Sequence, residues 1–198
     1  VPIPPHPAVE LVVATTWDGW PAPAHEQVRL RLRLTSRHLR IAVSAPFHGD
    51  EPPAGEPGPT DRLWEHEVVE LFVASAADEP APTGAAIESD EGARSSIAYT
   101  EVELSPWGHH LVLRLAGARR VVAAGLPLAY RVRRSGSRWV GAARLARHLL
   151  PPLPWRANAY AIHGEGRGRR YLAATALPGE RPDFHQPGRF PALRLPPQ

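Results

Sequence analysis

Residues Val28 to Thr35 run as apolar, Arg, apolar, Arg with hardly a break: Val-Arg-Leu-Arg-Leu-Arg-Leu-Thr. Alternation with period two puts every apolar side chain on one face of an extended strand and every Arg on the other. A helix would scatter the same residues around its circumference, so the stretch is committed to a half-buried strand. Leu39 to Ala45 resumes the pattern after Ser36-Arg37-His38, and the two segments are predicted to form a hairpin. Further strands are predicted at Val9 to Thr15, Leu128 to Arg134, Arg138 to Ala143, Asn158 to His163 and Tyr171 to Ala176. Val68 to Ala74 is nearly continuous in apolar residues, as a central strand covered on both faces would be.

A second hairpin is predicted where Tyr99 to Leu104 and His109 to Leu115 flank Ser105-Pro106-Trp107-Gly108, with Pro and Gly at favoured turn positions. Closing it over four residues pairs Leu104 with His109, Val102 with Leu111 and Thr100 with Leu113 on one face. The other face then holds Glu103 with His110, Glu101 with Val112, and Tyr99 with Arg114. Arg144 to Leu150 suits one short helix, stopped by Pro151-Pro152. Many short strands between turn signals imply an all-β, antiparallel β-sandwich with at most one or two short helices, as a single domain over 1–198. Pro2 to Pro7 and Pro191 to Gln198 read as Pro-rich terminal arms, Glu51 to Thr60 as a Pro/Gly loop, and Asp78 to Ser96 as a mobile loop.

Composition removes several functions. The 198 residues contain no Cys, which excludes disulfides, thiolate catalysis and Cys-ligated zinc. All 23 basic residues are Arg, which together with abundant Ala, Pro and Gly reads as the coding bias of a GC-rich, bacterial genome. A net charge of +3 spread along the chain gives no nucleic-acid footprint. Arg29, Arg31 and Arg33 read as a solvated sheet face, because no aromatic platform interleaves them. No stretch approaches 18 apolar residues and no signal peptide is visible, so no membrane partner is expected and the cytoplasm is the expected compartment.

Six ordered segments carry a resemblance. They are Thr16-Trp17-Asp18-Gly19, Ser44-Ala45-Pro46-Phe47, Leu63 to Phe72, Tyr99 to Gly108, Ala161-Ile162-His163-Gly164, and Pro182-Asp183-Phe184-His185. Across most of the chain they resemble an uncharacterised protein family that is itself similar to family 9 carbohydrate-binding modules and their DOMON-like relatives. The resemblance implies a carbohydrate-binding-module-like, jelly-roll-type sandwich. Those modules clasp sugar rings between aromatic side chains while carboxylates and amides bond the hydroxyls. Carried over by position, the resemblance implies Trp64 as the aromatic platform, with Trp155 and Asn158 from the late strand.

The residues themselves point to the same region. Glu70 shares a strand face with Val68 and Phe72, so its carboxyl must be paired or protonated. It is either an acceptor for ligand hydroxyls or a metal, or half of a structural ion pair with an Arg such as Arg114. Glu67 stands beside it, and Tyr99, Glu101, Glu103, His110 and Arg114 are expected on one polar hairpin face. Trp139 is expected in the core and Trp107 exposed at its turn. The function read from this is a non-catalytic module binding a small polar ligand, a sugar foremost, with no cofactor. One alternative is a hydrolase or metalloenzyme acting on a sugar-like substrate. Its metal ligands would be His48, Asp50, Asp183 and His185, should their two loops meet. A third reading is a protein-interaction module without a small ligand. Gly164 to Gly168 is read as a hairpin loop and not a phosphate cradle, because no helix follows it.

Overall fold

In the computed structural model, which describes residues 8–77 and 97–195, the described chain consists of strands, short 3-10 turns and loops, with no α-helix. The strands are β1 (Val9–Val13), β2 (Thr15–Thr16), β3 (Val28–Leu34), β4 (His38–Pro46), β5 (Val68–Ser75), β6 (Ala98–Leu104), β7 (His110–Ala116), β8 (Val121–Ala123), β9 (Leu128–Ser135), β10 (Arg138–Ala146), β11 (Trp155–His163), β12 (Arg170–Ala173) and β13 (Ala192–Leu193). All pair antiparallel within two sheets. The smaller sheet is ordered β1-β3-β4-β10-β9. The larger is ordered β2-β12-β11-β5-β6-β7-β8, with β13 also on β11. The all-β antiparallel sandwich read from the alternation is the fold.

The sheets face each other across one apolar layer. Leu30, Leu32, Leu39, Ile41 and Val43 of the smaller sheet meet Val69, Leu71, Val73, Val102 and Val112 of the larger, with Trp139 and Trp155 among them. The second face of the larger sheet is also covered. Phe72, Leu111, Leu113, Tyr160 and Ile162 lie beneath Leu63 and, from the chain beyond β12, Leu177, Phe184 and Phe190. Burial from both sides is why β5 is closed to solvent along its whole length and why its sequence is so nearly apolar. The second face of the smaller sheet remains open to water, and there the Leu/Arg alternation of β3 points every Arg outward.

Four local expectations are corrected. The predicted helix at Arg144–Leu150 is the end of β10 followed by a 3-10 turn at Arg147–Leu149. Pairing decides this: Leu145 stands between Leu39 and Leu128 in the sheet and is fully buried, which a local helix could not achieve. The β6–β7 register is shifted by one residue. Ser105 N–H bonds the His109 carbonyl at 3.0 Å, so the loop is the three residues Pro106-Trp107-Gly108, with Gly108 at φ +91° as the bulge position. Trp107 is half-buried, edge-on to Phe47 and 3.9 Å beneath the Arg134 guanidinium, not exposed. The expected C-terminal arm also contributes structure: Leu193 of β13 pairs with Trp155.

The expected loop Asp78 to Ser96 and arm Pro2 to Pro7 lie outside the described residues. Among the described residues, no helix is long and apolar enough to cross a membrane.

Candidate functional site

The one-residue shift in the hairpin redistributes its side chains. Glu101 now faces Leu113, Glu103 faces Leu111 and Tyr99 faces Leu115. Arg114 stands opposite Thr100 and His110 opposite Leu104, on the other side of the sheet. Neither Arg114 nor His110 therefore joins the carboxyl face, and Glu70 has no ion pair with Arg114. The neighbouring ladder brings Glu70 directly opposite Glu103, and Phe72 opposite Glu101. Three carboxyls, Glu70, Glu101 and Glu103, thus meet on the covered face of the larger sheet, each at most 2% exposed.

No basic side chain pairs with them in the described residues. Both oxygens of Glu103 and Oε2 of Glu101 lack any N–H or O–H donor, yet the Glu101 and Glu103 carboxyls lie within hydrogen-bonding reach of each other. Two acceptors in contact need a proton between them, so at least one of the pair is a carboxylic acid. Burial is the main cause, and it pushes Glu101 up to about 8. Burial together with the charge of Glu101 holds Glu70 well above the usual carboxylate range, and burial together with the charges of Glu70 and Glu101 does the same for Glu103. The guanidinium of Arg169 opposes this only in part at Glu70.

A cavity of about 310 Å³ opens over this cluster. Glu70 and Glu101 reach its floor, while Leu113, Leu115, Ile162 and Phe184 give it apolar walls. Trp64, Tyr171, Arg119 and His185 also line it. Trp64 is 39% exposed and rides on the 3-10 turn Leu63–Glu65, whose Trp64 carbonyl accepts a hydrogen bond from Arg169 at 2.6 Å. The same guanidinium donates to Gly164 O at 2.9 Å, tying this turn to the loop after β11. On the opposite wall the ring of Phe184 stacks on Tyr160 at 3.8 Å. Tyr99 lies beneath that wall, its hydroxyl 2.7 Å from His185 Nδ1 and accepting the Arg119 backbone N–H at 3.2 Å. Burial lowers His185 to about 4, so the ring is neutral at physiological pH.

The remaining candidates lie elsewhere. Glu67 accepts the backbone N–H groups of His48 and Gly49 at 3.0–3.2 Å, which fixes the turn after β4. Trp155 is 2% exposed in the layer between the sheets, and its indole N–H bonds Pro151 O at 2.8 Å. Asn158 is on the covered face, opposite Phe72, but its amide is fully engaged. It donates to Thr175 O and the Tyr160 hydroxyl, and it accepts from the Thr175 and Ala159 N–H groups. Trp139 is buried as expected.

The two loops expected to make a metal set do not meet. His48 stacks on His163 with ring centroids 3.5 Å apart, and Asp50 accepts the Gly164 N–H at 2.6 Å. Both therefore sit past the Ile162–Val68 end of the β11–β5 ladder. Asp183 bonds Arg119 and the His185 N–H, while His185 packs against Tyr99, which lies beside Ala74 at the other end of β5. Val68 and Ala74 are about 20 Å apart along an extended strand. Among the described residues no three His, Asp or Glu side chains gather as a metal-holding group. The wall residues Arg119 and Tyr171 had no signal in the sequence, whereas Phe184 and His185 stood within the Pro182 to His185 motif.

Comparison with known proteins places these features in context. No family model matches the chain. The human UPF0462 protein C4orf33 is 38% identical over 185 residues, covering 89% of this chain and 83% of its own length. Its zebrafish homologue is 35% identical over 186 residues, covering 90% and 85%. Vertebrate relatives lend nothing to the bacterial source read from the coding bias. Among solved structures, a Bacteroides uniformis protein provisionally named carbohydrate-binding aligns with TM-score 0.62 and 16% identity, over 93% of this chain and 84% of that one. A family 9 carbohydrate-binding module from Caldicellulosiruptor kristjanssonii, in complex with cellotriose, aligns with TM-score 0.49 and 11% identity, over 84% and 72%.

Proposed function

For this chain, which belongs to the UPF0462 family, we propose a non-catalytic binding role: the cavity over Glu70 and Glu101 takes a small polar ligand, a sugar foremost. The observation that carries this reading is the pair of buried carboxyls, Glu70 and Glu101, at the floor of a cavity with apolar walls. A polar group left without a partner costs about 1–3 kcal/mol, and a ligand hydroxyl reaching that floor would supply one to the carboxyl oxygens that face it. Because the carboxyls share protons, the floor can donate as well as accept, as a hydroxyl-bearing ligand requires. Leu113, Ile162 and Phe184 suit the C–H faces of such a ligand, and the half-exposed Trp64 indole can close over it.

The Bacteroides uniformis protein with this architecture is itself named for carbohydrate binding, which makes sugars the first ligands to screen. The two carboxyls at the floor, Glu70 and Glu101, rise from one sheet face and approach a ligand from one side. Glycosidic cleavage needs carboxyls flanking the bond, so the same geometry favours recognition over hydrolysis.

Titration calorimetry of the purified protein against neutral mono- and oligosaccharides tests the proposal. Saturable binding is expected, weakened at least about tenfold (~1.4 kcal/mol) in Trp64→Ala and in Glu101→Gln with the melting transition retained. No saturable binding across the panel, or binding indifferent to both substitutions, would overturn it.

A further inference from the structure

The open face of the smaller sheet gathers the arginines that the sequence scatters. From β3, Arg29, Arg31 and Arg33 point outward; from β9, Arg131 and Arg133 do the same. The ladders place Ala42 and Ala142 between Arg31 and Arg131, and Ser44 and Val140 between Arg29 and Arg133. These short side chains, with Val140 the bulkiest, floor a shallow trough, and the two arginine rows wall it. Three strand spacings separate the walls, about 14 Å. One end is closed by a third row in which Arg33 faces Arg40 and Arg40 faces Arg144 across adjacent strands. Like charges directly opposite each other destabilise a sheet, and among the described residues no carboxylate lies between them to relieve it. The only outward acid on the described strands of this sheet is Glu10, which bonds Arg29 and Arg31 at 2.8 and 3.0 Å.

We propose that this trough binds an acidic polysaccharide, a chain bearing sulfate or uronate groups along its edges. Guanidinium rows on both walls match a chain whose anions project to both sides, and each can meet an oxyanion in bidentate fashion. The floor explains the choice among polyanions. It carries no aromatic ring on which nucleic-acid bases could stack. The surface is a sheet face without a helix or ribbon projecting from it to enter a duplex groove. A polysaccharide needs neither. The clustering comes from strand pairing between segments about 100 residues apart, so the net charge of +3 conceals it.

Fluorescence anisotropy with a labelled heparin oligosaccharide tests the assignment, alongside a duplex DNA of equal charge and a de-sulfated heparin. Arg131→Ala/Arg133→Ala removes one wall; Arg167→Ala/Arg181→Ala removes the same charge from loops outside the trough. The wall variant is expected to lose at least about tenfold in heparin affinity and to flatten the salt dependence by roughly one unit of slope per arginine. The loop variant is expected to lose less than about threefold. Equal losses in the two variants, no heparin binding by the parent, or tighter binding to the DNA would each overturn the proposal. Both variants change exposed side chains, and Arg40→Ala, which relieves the Arg33–Arg40–Arg144 row, supplies a third that is expected to fold at least as stably as the parent while binding heparin more weakly.

Discussion

The outward face of the larger sheet gathers three carboxyls and buries them; the outward face of the smaller sheet carries guanidiniums and leaves them in water. The asymmetry follows from what each group can do when it loses solvent. A carboxyl neutralises itself by taking a proton, so Glu70, Glu101 and Glu103 can lie beneath Phe184 and Phe190 without counter-ions. A guanidinium cannot be discharged, so Arg33, Arg40 and Arg144 are compatible with the fold only on an open face. One sheet thus has a covered cavity whose charge varies with pH, and the other an uncovered trough whose charge does not.

The cover is the first part of this contrast to break. Phe190 is fully buried, 5.9 Å edge-on to Phe72, and belongs to the segment that roofs the carboxyl face. Phe190→Ala is expected to cost about 3–5 kcal/mol. For a domain of this size that lowers the melting temperature by about 6–20 °C. A comparable substitution on the open face, Val140→Ala, is expected to change stability by less than about 0.5 kcal/mol. Equal effects at the two positions in thermal denaturation would mean that the roof is not part of the cooperative fold.

The carboxyls sharpen the contrast through pH. Their folded-state affinity for protons is raised, Glu101 to about 8, so above pH 4.5 the folded chain holds protons that the unfolded chain has released. Stability therefore falls as pH rises through that interval, by up to ~1.4 kcal/mol per pH unit for each retained proton. The buried histidines act in the opposite sense. His163 and His185, lowered to about 4, withdraw stability as pH drops below 6.5. Between pH 6.5 and 8 only the carboxyl effect remains, and the melting temperature is expected to decline there. Glu101→Gln, which is neutral at every pH, is expected to reduce the slope. A melting temperature that is flat or rising over that interval in the parent protein would contradict the shared-proton cluster.

Tyr99→Phe should be a smaller perturbation, about 1 kcal/mol, because it removes one hydroxyl that serves both His185 and the Arg119 N–H. Its second readout is the His185 imidazole in a proton NMR titration. Losing the hydroxyl contact is expected to shift that resonance, whereas an unchanged titration would mean that Tyr99 acts on the cavity through packing alone.

How much of this was legible in the sequence depends on whether the information is local. The alternation of β3 and the apolar run of β5 fixed strands and faces, and Glu70 was rightly placed with Val68 and Phe72. The sandwich and the family motifs were legible too. The hairpin register was not, because Pro106-Trp107-Gly108 closes as three residues with Gly108 at positive φ, and one residue of slip moves Arg114 to the opposite face. Convergence of Glu70 on Glu103 depends on β5 pairing with β6, and that of Arg31 on Arg131 on an order of strands that no local pattern encodes. Trp155 and Asn158 misled for a related reason: the chemistry of each side chain fits a ligand site, but each is already satisfied by the fold.

Glu10 offers the smallest test and the one most particular to the open face. It is held by Arg31 and Arg29 and stays ionised below the ordinary carboxylate range, yet exposed pairs of this kind contribute about 0–1 kcal/mol. Glu10→Gln should therefore leave the melting temperature nearly unchanged at low salt, and more nearly so at high salt where the pairs are screened. Its effect on binding should be opposite in sign to that of the wall substitutions. Removing the one outward acid on the described strands of this sheet frees Arg29 and Arg31 for an incoming anion, so heparin affinity is expected to rise, by about two- to fivefold at low ionic strength. If affinity falls instead, Glu10 orients those guanidiniums and does not compete for them, and the β3 wall works only as the Glu10–Arg29–Arg31 unit.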